Sequence, residues 1–535
     1  MARFFNTTGP CNPERHYMLP PAERLIGAQL RRYISDELFW VLHAPRQTGK
    51  TTFLQSWMRE INASGQALAC YVSVETCQGM TDPATAMPAM VDAIILTATV
   101  QLGANFAPAR PDVDPHQRLQ ATLTAWAEVV APKPLVVLFD EVDVLQDQTM
   151  ISFLRQLRSG FATRGVGKFP VSVVLVGMRD LRDFLIKAKD GAPVSPGSPF
   201  NIKEDSASLS NFSRADVLKL LQQHIDETGQ PFTPDAMNLV YDLTRGQPWL
   251  VNALAKKCVW TIVPQETRAV VTIDHIREAK EILVKERAVH LDSLAERLKD
   301  PRVKKIVETI LIGEIDPEVA EGDDFRLCLD LGLVVVDGGT PQIANPIYRE
   351  VIPRVLNQGM QYAIPAPEYR WKRDDGSLDL PELLKHFQAF WRRHSDTWEK
   401  KVDYTEAFPH LLLMAFLQRI TNGDGRIERE YAAGRGRVDL AIEFGGRWSI
   451  IEIKLVHPHD SRETTVEEGL GQVTAYRDRL PSVIGPGCEL VKGVPVDAYL
   501  VVFDRREEAR KKPWEERLTW ETREAPGGSI TVVGA

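Results

Sequence analysis

Residues 37–53 read ELFWVLHAPRQTGKTTF, and this stretch decides the fold. Phe39, Trp40, Val41 and Leu42 form an apolar run of strand length. APRQTGKT (44–51) follows, and after it comes helical FLQSWMREI. Strand, glycine loop, Lys-Thr and helix start, in that order, are the setting of a phosphate-cradling P-loop. Loop amides and a helix N-terminus both favour an anion there. Lys50 is placed for terminal phosphates and Thr51 for Mg2+ through its hydroxyl, while Gln47, Thr48, Gly49 and Thr52 complete the cradle. The pattern GxxxxGK[ST] puts Gly at position 44, where this chain has Ala44. A glycine eases a tight turn, so Ala44 is a departure from the pattern.

The 535 residues suggest about three to four domains. A net charge of −8 argues against bulk attraction to nucleic acid but leaves a local basic groove open. The six cysteines include no CxxC pair. That argues against a disulfide framework or a Cys-rich zinc site and fits a reducing cytoplasm. Met1 to Thr8 shows no signal-peptide pattern. The apolar stretch 86–100 is interrupted by Pro88 and Asp92 and is not read as a membrane span.

Taken in order, FFNTTGPCNPERHYMLPP (4–21) is turn-rich and precedes an expected helix near 22–34. His16 and Tyr17 are candidates to lie against a nucleotide base, or simply belong to a packed lead-in. A second strand is expected at 67–74 and helices at 82–102 and 115–130. LVVLFDEVDVL (135–145) is an apolar strand that stops at two carboxylates. Paired with the P-loop, Asp140 would hold Mg2+ through water and Glu141 would polarise the attacking water. After a helix near 148–163, VSVVLVGMRD (171–180) is a buried strand ending at Arg179. That arginine either reaches a terminal phosphate or pairs with Asp180 or Asp183. Strands alternating with helices give a doubly wound α/β domain. Residues 213–287 then turn helical.

APRQTGKTT, LVVLFDEVD, LVGMRDLRDF, SPFNIKEDS, NFS, ETGQPF and TRGQPWLVNALA together resemble the bacterial AAA-like ATPases of the STAND or Orc/Cdc6-like kind. The resemblance covers roughly residues 1–360. It implies ATP with Mg2+ as cofactors and a helical lid whose GxP motif touches the nucleotide, here Gly246, Gln247 and Pro248. It also implies a winged helix from the helices at 291–314 and 324–331 and the hairpin LVVVDGGTPQIANPIY (333–348). Such a module either reads DNA or serves as a packing and switch element. Neighbouring subunits share ATP sites in such proteins, which implies a homo-oligomer.

Residues 361–378 read as a linker. Beyond it, RVDLAIEF (437–444), Gly445-Gly446 and RWSIIEIKL (447–455) read as a hairpin with a two-residue turn. With that turn Phe444 faces Arg447, Asp439 faces Glu452, and Arg437 faces Lys454. Side-chain alternation puts Asp439, Glu452 and Lys454 on one face, with Ile451, Ile453 and Leu455 on the other. Two facing carboxylates repel unless a cation lies between them. The alternative is a solvated polar face relieved by Arg437 and Lys454.

GRGRVD followed by ExK at this spacing resembles the PD-(D/E)XK nuclease superfamily over about 380–505. The resemblance implies that Asp439 and Glu452 hold Mg2+, with Mn2+ as a substitute, and that Lys454 positions or activates water. It further implies a contribution from Glu406 on the preceding helix, YTEAFPHLLLMAFLQRI (404–420). Gln472 and Tyr476, in EGLGQVTAYRDRL (468–480), would orient metal-bound groups or nucleic acid. His457 and His459 are read as loop residues, and RREEARKKPWEER (505–517) as a solvated helical face.

The expected architecture is a P-loop ATPase core (1–212), a helical lid (213–290), a winged helix (291–360), a linker (361–378) and a smaller α/β nuclease-like domain (379–535). The expected function is an ATP switch controlling Mg2+-dependent phosphodiester hydrolysis, with DNA as partner and a role in defence or mobile-element control. The rivals are an inactive nuclease fold that binds nucleic acid, and a signalling ATPase with a protein partner.

Overall fold

The computed structural model describes residues 3–27, 29–164, 168–178, 205–286, 294–312, 322–356, 373, 377–401, 408–421, 425–433, 436–444, 447–483 and 496–535. The chain forms two compact units. The first comprises Met1–Asp292 with Glu318–Ile347, and the second comprises Ser293–Pro317 with Tyr348–Ala535. The division falls within the stretch 291–360, so the elements there are described with their own units. Nearly all of the linker stretch lies outside the described residues.

In the first unit the strands are β1 (Leu25–Ile26), β2 (Trp40–His43), β3 (Leu68–Ser73), β4 (Leu135–Asp140), β5 (Ser172–Gly177) and β6 (Asp205–Leu209). They make one sheet in the order β1-β6-β2-β5-β4-β3. All neighbours are parallel except the β1–β6 pair, which is antiparallel. The β2 and β4 strand ends therefore lie on the same side of the sheet, where ligands of such sheets bind.

Helices cover both faces. The helices Leu30–Ser35 and Lys50–Ser64 flank β2 in sequence, and their Tyr33, Phe53 and Trp57 share a core with Trp40, Leu42 and Leu138. On the other face Pro83–Leu102, Pro115–Val129 and Asp147–Thr163 bury Ile94, Trp126 and Phe153 against Val41, Val137 and Phe139. Pro83–Leu102 is long and apolar enough to cross a membrane. Its Ala86, Met87, Met90, Val91, Ile94 and Ala98 are instead fully buried in the protein core.

Helix starts follow a repeated local code of a polar cap and then proline. Asp82-Pro83, Asp114-Pro115, Thr233-Pro234 and Gln247-Pro248 each cap a helix through the first side chain. Proline loses nothing at such a position because its missing N–H would be unpaired anyway.

The expected helix near 22–34 is not one helix. Pro21–Arg24 is a single tight turn, Leu25–Ile26 pairs with β6, and Gly27 at φ +77° breaks the chain before Leu30–Ser35. Pairing of Leu25 with Leu209 outweighs the local helical pattern.

The hairpin of β7 (Val334–Asp337) and β8 (Thr340–Ile343) forms as expected. Its turn glycines, Gly338 and Gly339, both have positive φ, as a two-residue hairpin turn demands. Just before it, Gly332 rests on the P-loop: a Cβ there would lie 2.7 Å from Pro45 Cγ.

The second unit is built on another sheet, with β9 (Gly425–Ala433), β10 (Gly436–Phe444), β11 (Arg447–Val456), β12 (Asp497–Asp504), β13 (Trp520–Ala525) and β14 (Gly528–Gly534). The order is β13-β14-β12-β11-β10-β9. The β9–β10–β11 meander is antiparallel, whereas β11, β12 and β14 run parallel. The helix Arg462–Val483 packs Val466, Val473 and Tyr476 on Ile450, Leu500 and Val502. On the opposite face Phe387 and Trp391 of Leu380–Lys401 meet Phe503. RREEARKKPWEER forms two short helices, Glu507–Arg510 and Trp514–Arg517.

Candidate functional site

The P-loop bridges β2 and the helix Lys50–Ser64. Gln47 (φ 58°) and Gly49 (φ 99°) are its left-handed residues. Ala44 is absent from the positive-φ set, so the first position of the pattern needs no glycine here. Lys50 Nζ donates to the carbonyls of Ala44 (2.7 Å) and Pro45 (2.9 Å). Thr48 Oγ1 donates to the Pro45 carbonyl as well, at 2.8 Å.

Thr51 Oγ1 donates to Asp140 Oδ2 at 2.7 Å, and the Tyr71 hydroxyl donates to the same oxygen at 3.1 Å. Asp140 is 1% exposed. Glu141 follows it in a left-handed conformation (φ 61°), uncommon for a non-glycine residue. Burial first, then the charges of Glu75, Asp140 and Asp143, push the Glu141 carboxyl up, with Arg46 opposing. A raised carboxyl suits a group that must take a proton near neutrality. Thr51 and Asp140, already in contact, fit the pair that would hold Mg2+, and Glu141 fits the polarising base. A cavity of about 350 Å3 joins Lys50, Thr51, Asp140 and Glu141 with Arg46, Glu75 and Asp143.

A second cavity, about 130 Å3, adjoins the first and shares Gly9, Gln47, Gly49 and Thr52 with it. Pro248 and Trp249 of the lid helix Pro248–Lys257 and Tyr17 of the lead-in line it. The GxP segment is fixed by packing. Gly246 has φ +73°, and a Cβ on it would fall 1.8 Å from the Phe212 carbonyl oxygen. Gln247 caps the lid helix by accepting from the Leu250 amide at 2.6 Å, and Trp249 Nε1 donates to the Thr7 carbonyl at 2.9 Å. His16 is not among the cavity residues; it packs edge-on to Phe4 and accepts from the Asn12 amide. Arg179 lies outside the described residues.

The sequence reading missed several of these residues. Arg24 ties the lead-in to the P-loop by donating to the carbonyls of Thr48 and Ser210, both at 2.9 Å. Tyr71 is the polar residue within an otherwise apolar part of β3. That interruption is a signal, though its partner Asp140 is not visible from it.

In the second unit, pairing runs from Phe444↔Arg447 to Leu440↔Ile451, the register expected of a two-residue turn. Asp439 lies just beyond this run. Its Oδ2 accepts from the Ile453 amide at 2.7 Å, which ties the carboxylate to the backbone of β11 beside Glu452. Glu452 is 4% exposed, so this carboxylate is not solvated, whereas Asp439 and Lys454 are only partly buried. Lys454 Nζ stands 3.5 Å from Glu452 Oε1, while Glu452 Oε2 is buried without a partner. Burial first, then the Asp439 charge, push the Glu452 carboxyl up to about 9, with Lys454 opposing. An orphaned buried oxygen beside a second carboxylate fits a divalent cation, which would supply the compensation now missing.

Gly469 lets the covering helix approach. A Cβ there would lie 2.6 Å from Leu500 Cδ1 and 3.2 Å from Lys454 Cγ. Gln472 is exposed, whereas Tyr476, one turn further on, is packed in the sheet core. Glu406 and the side chain of Arg437 lie outside the described residues. His457 and His459 sit in a loop, and no metal-binding group of three or more His, Cys, Asp or Glu occurs among the described residues.

No curated protein sequence matches the chain. Many solved structures are similar in part. The Walker-type ATPase PABY2304 of Pyrococcus abyssi is 13% identical, over 65% of this chain and 99% of that one, at a TM-score of 0.46. Cdc6p from Pyrobaculum aerophilum is 12% identical, over 62% and 91%, at 0.34. The Thermotoga maritima RuvB Holliday junction branch migration motor is 13% identical, over 63% and 92%, at 0.32. Residues 31–185 match the AAA domain family. With the P-loop, the Thr51–Asp140 contact and Glu141 in place, this part of the chain is an AAA-type P-loop ATPase domain.

Proposed function

We propose that the chain is an ATP-dependent switch controlling a Mg2+-dependent nuclease of the PD-(D/E)XK type that cuts DNA. The observation that carries the nuclease half is the buried, partnerless Glu452 Oε2 beside Asp439 and Lys454.

In the ATPase domain Lys50 leaves its own loop carbonyls for the terminal phosphates. Thr51 and Asp140 would hold Mg2+, which would supply positive charge beside the terminal phosphates. Glu141 orients and deprotonates the attacking water. At the second site Asp439 and Glu452 would hold a divalent cation, which would supply a more acidic water and a positive charge beside the phosphodiester. Lys454, its stem pinned beside Gly469, positions that water. The winged helix acts as the switch element, and the assembly is a homo-oligomer sharing its ATP sites. Defence against foreign DNA or mobile-element control fits this pairing of activities.

The test is incubation of the pure chain with single- and double-stranded DNA and RNA, Mg2+ or Mn2+, with and without ATP. Cleavage lost in Glu452→Ala and altered in Lys50→Ala supports the reading. Persistent absence of cleavage, with ATP still turned over, sinks the nuclease half.

A further inference from the structure

Strand β13 is an outer edge of the second unit's sheet, and among the described residues no strand pairs with its free side. An edge strand offers a row of unpaired N–H and C=O groups, which proteins commonly guard with lysines, proline or a covering element. β13 reads Trp520-Glu521-Thr522-Arg523-Glu524-Ala525, with no proline, no lysine and charges of both signs.

The register with β14 tells which groups are free. The Gly534 amide donates to the Thr519 carbonyl at 2.9 Å, and pairing continues from Trp520↔Val533 to Ala525↔Gly528. Successive residues of a strand turn their backbone groups to opposite sides. Those of Glu521, Arg523 and Ala525 therefore meet β14, and those of Trp520, Thr522 and Glu524 turn outward. Trp520, Thr522 and Glu524 are also the exposed residues of the strand. Glu521 and Arg523 share one face, with Arg523 Nη2 3.1 Å from Glu521 Oε2. Arg462 approaches Glu521 at 3.7 Å and Glu463 approaches Arg523 at 3.6 Å, which makes an alternating row of charge. The Glu521 and Arg523 side chains remain 36% and 40% exposed, so each has room for a second partner.

We infer that β13 pairs antiparallel with β13 of a second copy of this chain, about a two-fold axis at Thr522, and joins the two sheets into one. Outward backbone groups must meet outward ones, so an axis that keeps most of the strand paired passes through 521, 522 or 523. At 521 Glu521 faces its own copy, and at 523 Arg523 does. At Thr522 each Glu521 faces Arg523 of the second copy. Opposite charges directly across a strand pair stabilise it and like charges destabilise it, so the charge pattern selects one register. In that register Thr522 faces Thr522, Trp520 faces Glu524 of the second copy, and about six backbone hydrogen bonds form along the edge. Lys385 Nζ lies 5.8 Å from the Trp520 ring, so the incoming Glu524 meets a cation there. The contact lies wholly in the second unit and needs no nucleotide, which sets it apart from oligomerisation through shared ATP sites.

Sedimentation velocity of the full chain without nucleotide tests this. Wild type should dimerise reversibly, and more weakly as salt rises. Arg523→Glu and Glu521→Arg should each raise the dimer dissociation constant about tenfold or more, because each sets like charges opposite one another. Mixed in equal amounts, the two variants should associate again as well as wild type does, since each copy then supplies the sign that the other needs. Thr522→Pro should also break the dimer: the N–H it removes points outward, so the pairing with β14 stays intact. Thermal melts verify that the variants fold. A wild type that stays monomeric at every concentration reached overturns the inference. So does a dimer of unchanged strength in both Arg523→Glu and Thr522→Pro, which would be held by another surface. Folded reversal variants that fail to associate on mixing overturn the register.

Discussion

Thr51 Oγ1 and Asp140 Oδ2 stand 2.7 Å apart, joining the first turn after the P-loop to the end of β4. The contact makes Thr51 a single point at which metal dependence can be altered without emptying the loop. Thr51→Val keeps the shape and removes the hydroxyl. It should raise the Mg2+ concentration needed for half-maximal ATP hydrolysis by about tenfold or more, while Thr51→Ser stays near wild type. A magnesium titration of steady-state turnover measures this.

Glu141→Gln keeps the size of the side chain and removes the base. Turnover should fall about 10²–10⁴-fold with ATP still bound. Single-turnover kinetics beside equilibrium binding separate the two effects, and a parallel loss of binding would contradict the assigned role.

The buried Glu452 carboxyl makes stability depend on pH when divalent cations are absent. Its folded-state value is raised from 4.5 to about 9. Its contribution is therefore fully present below 4.5 and is lost as pH rises through about 9. Glu452→Gln should flatten the dependence across that window and unfold later than wild type at its alkaline end. Adding Mn2+ should stabilise wild type more as pH rises, because binding releases the proton, and should not stabilise the variant. Thermal melts in chelator and in Mn2+ read out both.

Gly246→Ala should cost about 3 kcal/mol, because a Cβ at 1.8 Å from the Phe212 carbonyl oxygen forces backbone to move. Denaturant unfolding measures the loss. Gly469→Ala should cost less, about 1–3 kcal/mol, since the neighbours at 2.6 and 3.2 Å are side-chain atoms of Leu500 and Lys454. Its larger effect should fall on nucleic-acid cleavage, through the displaced Lys454.

Local patterns in the sequence predicted local structure well. The P-loop, the strand ending at Asp140-Glu141 and the register Phe444↔Arg447 follow from spacing within a few residues, and they stand where the pattern puts them. Contacts between distant segments were not legible. Arg24 reaches Thr48, Tyr71 reaches Asp140, and Asn252 joins Tyr17 at one cavity, all through sheet order and lid packing that no short window contains. The helix misplaced at 22–34 failed for the same reason, since Leu25 pairs with Leu209.

Pro45 has neighbours on two sides. Its carbonyl receives Lys50 and Thr48, and its ring bears directly on Gly332 at the foot of the β7–β8 hairpin. Any side chain at position 332 would meet the Pro45 ring, so the missing Cβ is what lets the nucleotide loop and the hairpin lie this close, and a larger residue there would force one of them to shift.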